Sequence, residues 1–382
     1  MSLVAPLGLW RGFGAGGTRV SSLRILALVT DAFGGHGGIA RYNQDLMSAF
    51  ATSARVREIC ILPRQGNLGH QPLPQKVLQA RTSAARLAFS TQAIARVALD
   101  GPFDIVFCGH IYMSPIAAAI SKFLKKPMWL QLHGIDAWQP RGGRLARTAT
   151  ESAALVTAVS RFTRSRFLRW ADIAPERVRV LPNTFEPSFT AGPKPEYLLD
   201  RLNIHGRRVI LTVSRLTASE QYKGHDRIIA ALPAIKERIA DVVYVIAGDG
   251  DDRERLKKLA KNAGVEDITL FAGRVSEHEL PDYFRLADVF AMPSTGEGFG
   301  IVYLEAAACG LPVIAGNRDG SVDAVADGAL GTLIDPEDAP QLVDAVCNML
   351  ADRGRQAQPT SHDRFRAGNF NAHVDKLLEN FL

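Results

Sequence analysis

The feature that most constrains this chain is an alternation of short apolar runs with amphipathic stretches, carried through once and then begun again. The first series holds residues 23–30 (LRILALVT), 103–108 (FDIVFC), 127–132 (PMWLQL), 155–159 (LVTAV) and 178–181 (VRVL). Helical patterns lie between them, the first over residues 39–50. The second series holds 208–214 (RVILTVS), 242–247 (VVYVIA), 268–271 (ITLF), 289–292 (VFAM) and 312–315 (PVIA), with a helical pattern at 227–239. Continuous apolar runs are strands buried on both faces, and strands alternating with helices make parallel sheets. The predicted class is α/β: two Rossmann-like, doubly wound parallel-sheet domains facing a central cleft. Ligand sites in such sheets lie outside the carboxyl ends of the strands.

A chain of 382 residues exceeds one ordinary core. Residues 189–197 (FTAGPKPEY) separate the two series. They give a first domain over 23–190 and a second over 191–364, with 365–382 as an amphipathic closing helix that packs back on the first domain. Residues 1–22 are Gly-rich and lack the apolar centre of a signal peptide, so they read as a disordered leader. No apolar run reaches the roughly 18–20 residues that span a bilayer. Cys60, Cys108, Cys309 and Cys347 form no C-x-x-C pair. They read as reduced, buried thiols of a cytoplasmic protein.

The densest chemistry follows the run at 289–292, in Pro293-Ser-Thr-Gly-Glu-Gly-Phe-Gly-Ile-Val-Tyr-Leu-Glu305. Gly296, Gly298 and Gly300 let backbone approach a ligand, and a helix starting near Gly300 points free N–H groups at it. Glu297 falls in the loop and Glu305 in the helix; carboxylates suit paired sugar hydroxyls. Upstream, Arg215 closes a strand and Lys223 precedes a helix, two cations placed to neutralise a diphosphate. In the first half, Gly37 and Gly38 occupy the phosphate-approach turn of a Rossmann-like domain. That turn is not G-x-G-x-x-G and lacks the acidic residue of a dinucleotide fingerprint, which disfavours a dehydrogenase. His133-Gly-Ile-Asp136 follows a strand end, where a neutral His can bond a sugar without adding charge. Asp136 could equally cap the next helix, and His110 follows another strand end at the same cleft.

In these residues the chain resembles family 4 of the retaining glycosyltransferases, of the two-Rossmann-domain architecture called GT-B. The shared motifs run in order over roughly residues 23–350. They are the Gly37-Gly38 turn, His133-Gly-x-Asp136, Val159-Ser160, Leu181-Pro-Asn183, Ser214-Arg-Leu with Lys223-Gly, Ala247-Gly-Asp-Gly250, Glu297-Gly-Phe-Gly with Glu305-Ala, and Gly310-x-Pro-Val-Ile-Ala. The resemblance implies that Arg215 and Lys223 bind the donor diphosphate, Glu297 lies by the donor sugar and Glu305 holds the ribose. It places the backbone of Gly298, Phe299, Gly300 and Ile301 around sugar and phosphates. Gly248, Gly250, Arg274 and Val275 fall in loops beside the base and ribose. Gly37, Gly38, His110 and Asp136 face the acceptor, Gly38 also reaching the donor phosphate, and His133 lies beside the transferred sugar. One stretch departs from the family: where Gly-Gly-x-x-Glu is common, this chain reads Asp319-Gly-Ser-Val-Asp323.

The implied activity is hexosyl transfer from a nucleotide-diphosphate sugar to a saccharide or lipid-linked acceptor, with retention, in bacterial surface polysaccharide or glycolipid synthesis. The catalytic set is His133, Glu297, Arg215 and Lys223. The implied mechanism is front-face, the leaving phosphate taking the acceptor proton. It needs no cofactor, and no Asp-x-Asp stands at a plausible donor site to hold a metal. An inactive nucleotide-sugar-binding module and a nucleotide-sugar epimerase share the architecture; the complete set of charged residues argues against the first and the Glu-Gly-Phe-Gly pattern against the second.

Charge divides by halves: residues 1–190 carry 23 Lys and Arg against 10 Asp and Glu, and the remainder carry 22 against 29. Seven arginines (Arg141, Arg144, Arg147, Arg161, Arg164, Arg166, Arg169) mix with apolar side chains, and residues 160–170 (SRFTRSRFLRW) read as a basic amphipathic helix. Such a helix suits an anionic membrane surface, here the inner face of the plasma membrane, or an acidic second domain. No aromatic-basic interleaving or recognition motif supports nucleic-acid binding.

Overall fold

A computed structural model describes residues 22–67, 72–352 and 360–382; the leader expected over residues 1–22 lies almost wholly outside them. The first half runs β1 (Leu23–Val29), α1 (Gly38–Thr52), β2 (Val56–Pro63), β3 (Val77–Gln79), α2 (Arg86–Asp100), β4 (Ile105–Cys108), α3 (Ser114–Leu124), β5 (Met128–Leu132), α4 (Gly143–Glu151), β6 (Leu155–Ala158), α5 (Arg161–Leu168) and β7 (Val178–Val180). Helix α6 (Glu196–Leu202) follows. The second half runs β8 (Arg208–Val213), α7 (His225–Arg238), β9 (Val242–Ala247), α8 (Arg253–Asn262), β10 (Thr269–Gly273), α9 (Leu280–Leu286), β11 (Val289–Met292), α10 (Ile301–Ala308), β12 (Val313–Gly316), α11 (Ser321–Ala324), β13 (Thr332–Ile334), α12 (Ala339–Ala351) and α13 (Ala367–Leu378).

The strands form two parallel sheets, ordered β3-β2-β1-β4-β5-β6-β7 and β10-β9-β8-β11-β12-β13. The chain reverses direction across each sheet at one point, between β1 and β4 and between β8 and β11. A crevice opens at such a reversal, outside the carboxyl ends of the strands. The loops that leave those four strands carry Gly37 and Gly38, His110, Arg215 and Glu297.

Side chains along each strand alternate between two cores. In β1, Ile25, Ala27 and Val29 join one cluster, and Leu26 and Leu28 join another under α2, α3 and α5. In β8, Val209 and Leu211 join the same inner cluster as Ile25, while Ile210 turns to a third under α7 and α12. One apolar layer therefore passes from the first sheet to the second.

It passes along two crossings of the chain. Residues 181–204 contribute Leu181, Phe185, Phe189, Leu198 and Ile204 to it, and Phe365, Phe370, Val374 and Leu378 contribute on the way back. The stretch 189–197 is thus not an open linker. Phe189 packs on Phe284 with ring centres 5.7 Å apart, Arg285 donates to the carbonyl of Thr190, and Glu196 already starts α6. Helix α13 lies against α1: the Tyr42 and Phe370 rings meet edge to face, Arg55 pairs with Asp375 and Glu379, and Phe381 stacks on Trp129.

Strands β2, β3 and β13 carry no clear signature in the sequence. Strand β2 (VREICILP) begins with charge at Arg57 and Glu58, and β3 and β13 are three-residue pieces at the sheet edges. All four cysteines are free and buried. Among the described residues no helix is long and apolar enough to cross a membrane.

Candidate functional site

On the second-domain wall, β11 ends at Met292 and the chain turns through residues 293–300 into α10. Gly300 precedes the helix with φ 87°, and no side chain caps it. The first N–H groups of α10 are therefore free of intrahelical partners and of a capping side chain. Glu297 projects from this turn and accepts from Lys223 Nζ at 2.9 Å. Lys223 also lies 3.6 Å from Glu220 Oε2, and Arg215 pairs with the other oxygen of Glu220. Lys223 and Glu297 are 13% and 12% exposed, whereas Arg215 is 71% exposed. The expected cations are together, one enclosed and one open to solvent. Glu220, which sequence reasoning passed over, holds both.

Glu305 lies on α10, 8% exposed, and none of the described residues hydrogen-bonds its carboxylate. Burial pushes its pKa up to about 8, moderated by the charge of Arg41 on α1 of the other domain. Arg41 is itself held by Asp45 and Glu186.

Gly248 follows β9; its N–H donates to the carbonyl of Gly273 at 2.8 Å. A Cβ on Gly248 would lie 1.7 Å from the Ser214 carbonyl and one on Gly250 2.1 Å from that of Leu216, so these turns press against the loop that carries Arg215. Arg274 and Val275 occupy the turn after β10, Arg274 exposed. Phe299 is buried against Phe365, so only its backbone is available to a ligand.

On the first-domain wall, Gly37 caps α1 with φ 90°, and a Cβ on Gly37 or Gly38 would meet nothing within 4 Å. The neighbouring His36 reaches Glu277 of the second domain at 3.6 Å. His133 Nε2 sits 2.8 Å from the Gly109 carbonyl. A carbonyl only accepts, so Nε2 carries the proton and Nδ1 keeps a free lone pair. Burial, with His110 nearby, lowers the pKa of His133 to about 3. His110 stacks 6.0 Å from it; its Nδ1 accepts from the Tyr112 N–H, and burial lowers its pKa to about 4.

Asp136 does not cap a helix, because α4 begins only at Gly143. Burial is the largest influence on its carboxylate, and the nearby backbone N–H groups of Asp136, His133 and Gly134 oppose it. Its Oδ2 is buried without a hydrogen-bond partner, 3.8 Å from His110 Nε2, and burial raises its pKa to about 7.

The two walls touch. A Cβ on Gly134 would lie 2.7 Å from the Gly298 Cα, and one on Gly298 would lie 2.0 Å from the His133 carbonyl oxygen. Only two glycines allow that approach. Beside it, Arg161 pairs with Asp323 at 2.7 Å and with Asp327.

The basic stretch behaves differently from a free amphipathic helix. Helix α5 ends at Leu168, and Phe167 is in the core. Arg161 joins the second domain, Arg164 donates to the carbonyls of Val178 and Pro175, and Arg166 lies over the Trp138 and Phe162 rings. Besides Arg161, the exposed cations of the series are Arg141, Arg144, Arg147 and Arg169. Exposed apolar side chains occur on neighbouring helices instead: Leu87, Ile94 and Leu99 on α2, Phe123 on α3 and Leu145 on α4.

The comparisons with known proteins agree with this geometry. Residues 198–365 match the family model described as glycosyl transferases group 1, and residues 36–189 match glycosyltransferase family 4. A Mycolicibacterium smegmatis protein named GDP-mannose-dependent alpha-(1-6)-phosphatidylinositol monomannoside mannosyltransferase is 37% identical over 225 residues, 56% of this chain and 58% of that protein. Alpha-D-kanosaminyltransferase of Streptomyces kanamyceticus is 31% identical over 210 residues, 54% of this chain and 53% of that protein. The matches thus span a little over half the length of these relatives. Anabaena HepE, solved with UDP and glucose, superposes with a TM-score of 0.76 at 22% identity, covering 94% of this chain and 99% of that one. Sucrose-phosphate synthase of Thermosynechococcus elongatus gives 0.74 at 20% identity, covering 93% and 98%. With each half matched by a model of the same family and the whole chain folded as two facing parallel-sheet domains, the chain belongs to the group 1, family 4 glycosyltransferases of GT-B fold.

Proposed function

We infer that this chain transfers a hexosyl group from a nucleotide-diphosphate sugar to an acceptor hydroxyl, with retention of configuration. The observation that carries the reading is the meeting of Gly298 with His133 and Gly134. It sets the turn that carries Glu297, whose carboxylate holds Lys223, in backbone contact with the His133–Gly134 segment of the other domain.

In this reading the diphosphate lies over the free N–H groups of α10, with Lys223 and Arg215 on its flank. Charge grows on the leaving oxygen as the glycosidic bond breaks, and preorganised donors stabilise that charge more than the bound ground state. Glu297 takes the sugar hydroxyls and Glu305 the ribose. His133, neutral at working pH, offers Nδ1 to a sugar hydroxyl without opposing the positive charge that develops at the anomeric carbon. The acceptor enters past Gly37, His110 and Asp136 and attacks from the face the diphosphate leaves. Its proton passes to the departing phosphate oxygen, so the bond made at the anomeric carbon replaces the bond broken and no protein base is consumed.

The donor proposed is GDP-mannose, from the named activity of the relatives at 37% identity, and the acceptor is a hydroxyl of a polyol or of a lipid-linked glycan. Binding-only and epimerase readings are not favoured, because these relatives are named as transferases. A lipid-linked acceptor would place the first domain at an anionic membrane through α2, α3 and α4, where Leu87, Phe123 and Leu145 stand among exposed cations. Radiolabelled GDP-mannose and UDP-glucose, each offered with inositol phosphates and with lipid extracts, test the reading. Label should move from GDP-mannose to an acceptor. Epimerised sugar, or binding without turnover of either donor, would overturn it.

A further inference from the structure

The stretch that departs from the family pattern lies directly beneath the Glu297 turn. Asp319 is 1% exposed, and both its oxygens are filled by donors. Its Oδ2 accepts from the Ser294 hydroxyl at 2.7 Å and from the Glu297 backbone N–H at 2.7 Å. Its Oδ1 accepts from the N–H of Ser321 at 2.9 Å and lies 2.6 Å from the Ser321 hydroxyl, whose one proton it shares with the Gly316 carbonyl at 2.7 Å. The next residue completes the hold: the Gly320 N–H donates to the Glu297 carbonyl at 2.9 Å. A Cβ on Gly320 would lie 2.0 Å from the Gly298 carbonyl oxygen, so the two segments run in backbone contact.

Both polar groups of the Glu297 peptide are therefore fastened by residues 319 and 320. Three donors point at one carboxylate and a fourth, the Ser321 hydroxyl, is shared with the Gly316 carbonyl; burial raises the pKa of Asp319 and these hydrogen bonds oppose the rise. No cation pairs with Asp319 among the described residues, so its partners are hydrogen-bond dipoles. A buried carboxylate bonded through both oxygens is a rigid anchor, and Glu297 inherits its rigidity one bond away.

We propose that Asp319 is a positioning residue for the donor sugar, holding the Glu297 turn so that the Glu297 carboxylate meets Lys223 on one side and the sugar hydroxyls on the other. The proposal rests on reading Glu297 as the sugar-side carboxylate. A positioning role differs from simple reinforcement of the fold. It acts on the sugar and leaves the nucleoside diphosphate, which other residues hold, almost untouched. Replacing the carboxylate by an amide of equal size is the sharp change, because Nδ2 would then point at one of the two donor pairs. Donor facing donor releases either the Glu297 turn or the Ser321 turn.

The test compares D319N, S321A and E297Q with the parent protein. GDP and GDP-mannose binding are read by calorimetry, with UDP and UDP-glucose as the second pair, and transfer is read by steady-state kinetics. D319N should bind GDP within threefold of the parent while its kcat falls thirtyfold or more and the extra affinity due to mannose disappears. S321A loosens the same turn but leaves both Glu297 anchors, and should keep kcat within threefold. A folded D319N with kcat within threefold overturns the proposal, as does a D319N that loses GDP and GDP-mannose in parallel. If D319N does not fold, D319G removes the carboxylate without adding a donor and is read the same way. Failure of both to fold assigns Asp319 to the stability of the domain and ends the proposal. E297Q separates the layers of the argument. A normal E297Q means the donor-site reading itself is wrong, whereas a crippled E297Q beside a normal D319N sinks the positioning role alone.

Discussion

Lys223 Nζ and Glu297 Oε1 lie 2.9 Å apart, both side chains nearly nine-tenths enclosed, at the mouth where the two domains meet. An enclosed ion pair gains little net stability when intact, yet breaking it strands a charge. In the donor complex proposed above, the same lysine would also face the diphosphate. On that proposal the pair would work as a sprung contact, Glu297 holding Lys223 in place until phosphate oxygens share it.

Substituting either member should then cost more than substituting both. K223M and E297Q are each expected to lower kcat/KM by roughly 10- to 100-fold, the value of a desolvated charge-assisted contact of about 1.5–3 kcal/mol. K223M should also melt below the double variant, because it leaves Glu297 unpaired, whereas E297Q leaves Lys223 with Glu220 and should melt closer to it. Calorimetric melting and kinetics on the full cycle decide it; single variants that transfer normally would remove the pair from the site.

The pH dependence follows from Glu305. Its ordinary pKa of 4.5 is raised to about 8 by burial. Between those values the folded chain holds a proton that the unfolded chain releases. Stability is therefore lost as pH rises through that window and levels off above it. E305Q cannot ionise. It should match the parent's melting temperature near pH 4.5 and exceed it by a few degrees above pH 8, while losing affinity for the nucleotide. Parent and variant melting alike across the whole range would show that Glu305 is not desolvated.

Domain closure should be sensitive to Arg161. Its pairs with Asp323 and Asp327 join the domains, but the arginine is 57% exposed. Exposed pairs are worth about 0–1 kcal/mol each, so R161A is expected to raise the donor KM by roughly two- to tenfold and to leave kcat nearly unchanged. Small-angle scattering on R161A with GDP should show a larger radius of gyration than the parent. Identical scattering and identical KM would reduce the latch to an incidental surface contact.

Transfer should persist in EDTA, because Lys223, Arg215 and the start of α10 already supply the positive charge the leaving diphosphate needs. Loss of turnover on chelation, restored by Mg²⁺ or Mn²⁺, would mean that this clamp is incomplete.

Vesicle sedimentation addresses the exposed face of α2, α3 and α4. Binding to anionic vesicles and not to zwitterionic ones is expected, with each nearby cation contributing about 1 kcal/mol. L87S/F123S/L145S with R144E should abolish it and spare transfer to a soluble acceptor. The α5 arginines are poor choices for this test, since Arg164 and Arg166 support the fold from within.

Which parts could be read from the sequence depended on where the determining contact lies. Fully buried strands such as β4 and β9 announce themselves as apolar runs, because burial on both faces leaves no polar positions. Strand β2 did not, because its first residues sit at the open bottom of the sheet, where Arg24 pairs with Glu58. Lys223 and Glu297 were legible as types in a pattern, but their pairing joins positions 74 residues apart and depends on the β8–β11 neighbourhood. Asp319 showed only as a departure from Gly-Gly; its purpose appears once the β12 loop is laid under the β11 loop. Arg161 looked like one cation of a basic helix, and its acidic partners come from the half of the chain that carries the excess of acid.

The return of α13 to α1 has a consequence for how the molecule can be divided. A fragment ending near residue 190 would leave Tyr42 and Trp129 without Phe370 and Phe381, and Arg55 without Asp375 and Glu379. The complementary fragment would carry that helix with nothing to cover. The two domains are units of architecture but not units of manufacture: the first is finished by a helix made after the second. With two tethers crossing side by side, any opening of the halves would turn about that pair, like the covers of a book about its spine, and the loops at the free edge would travel furthest.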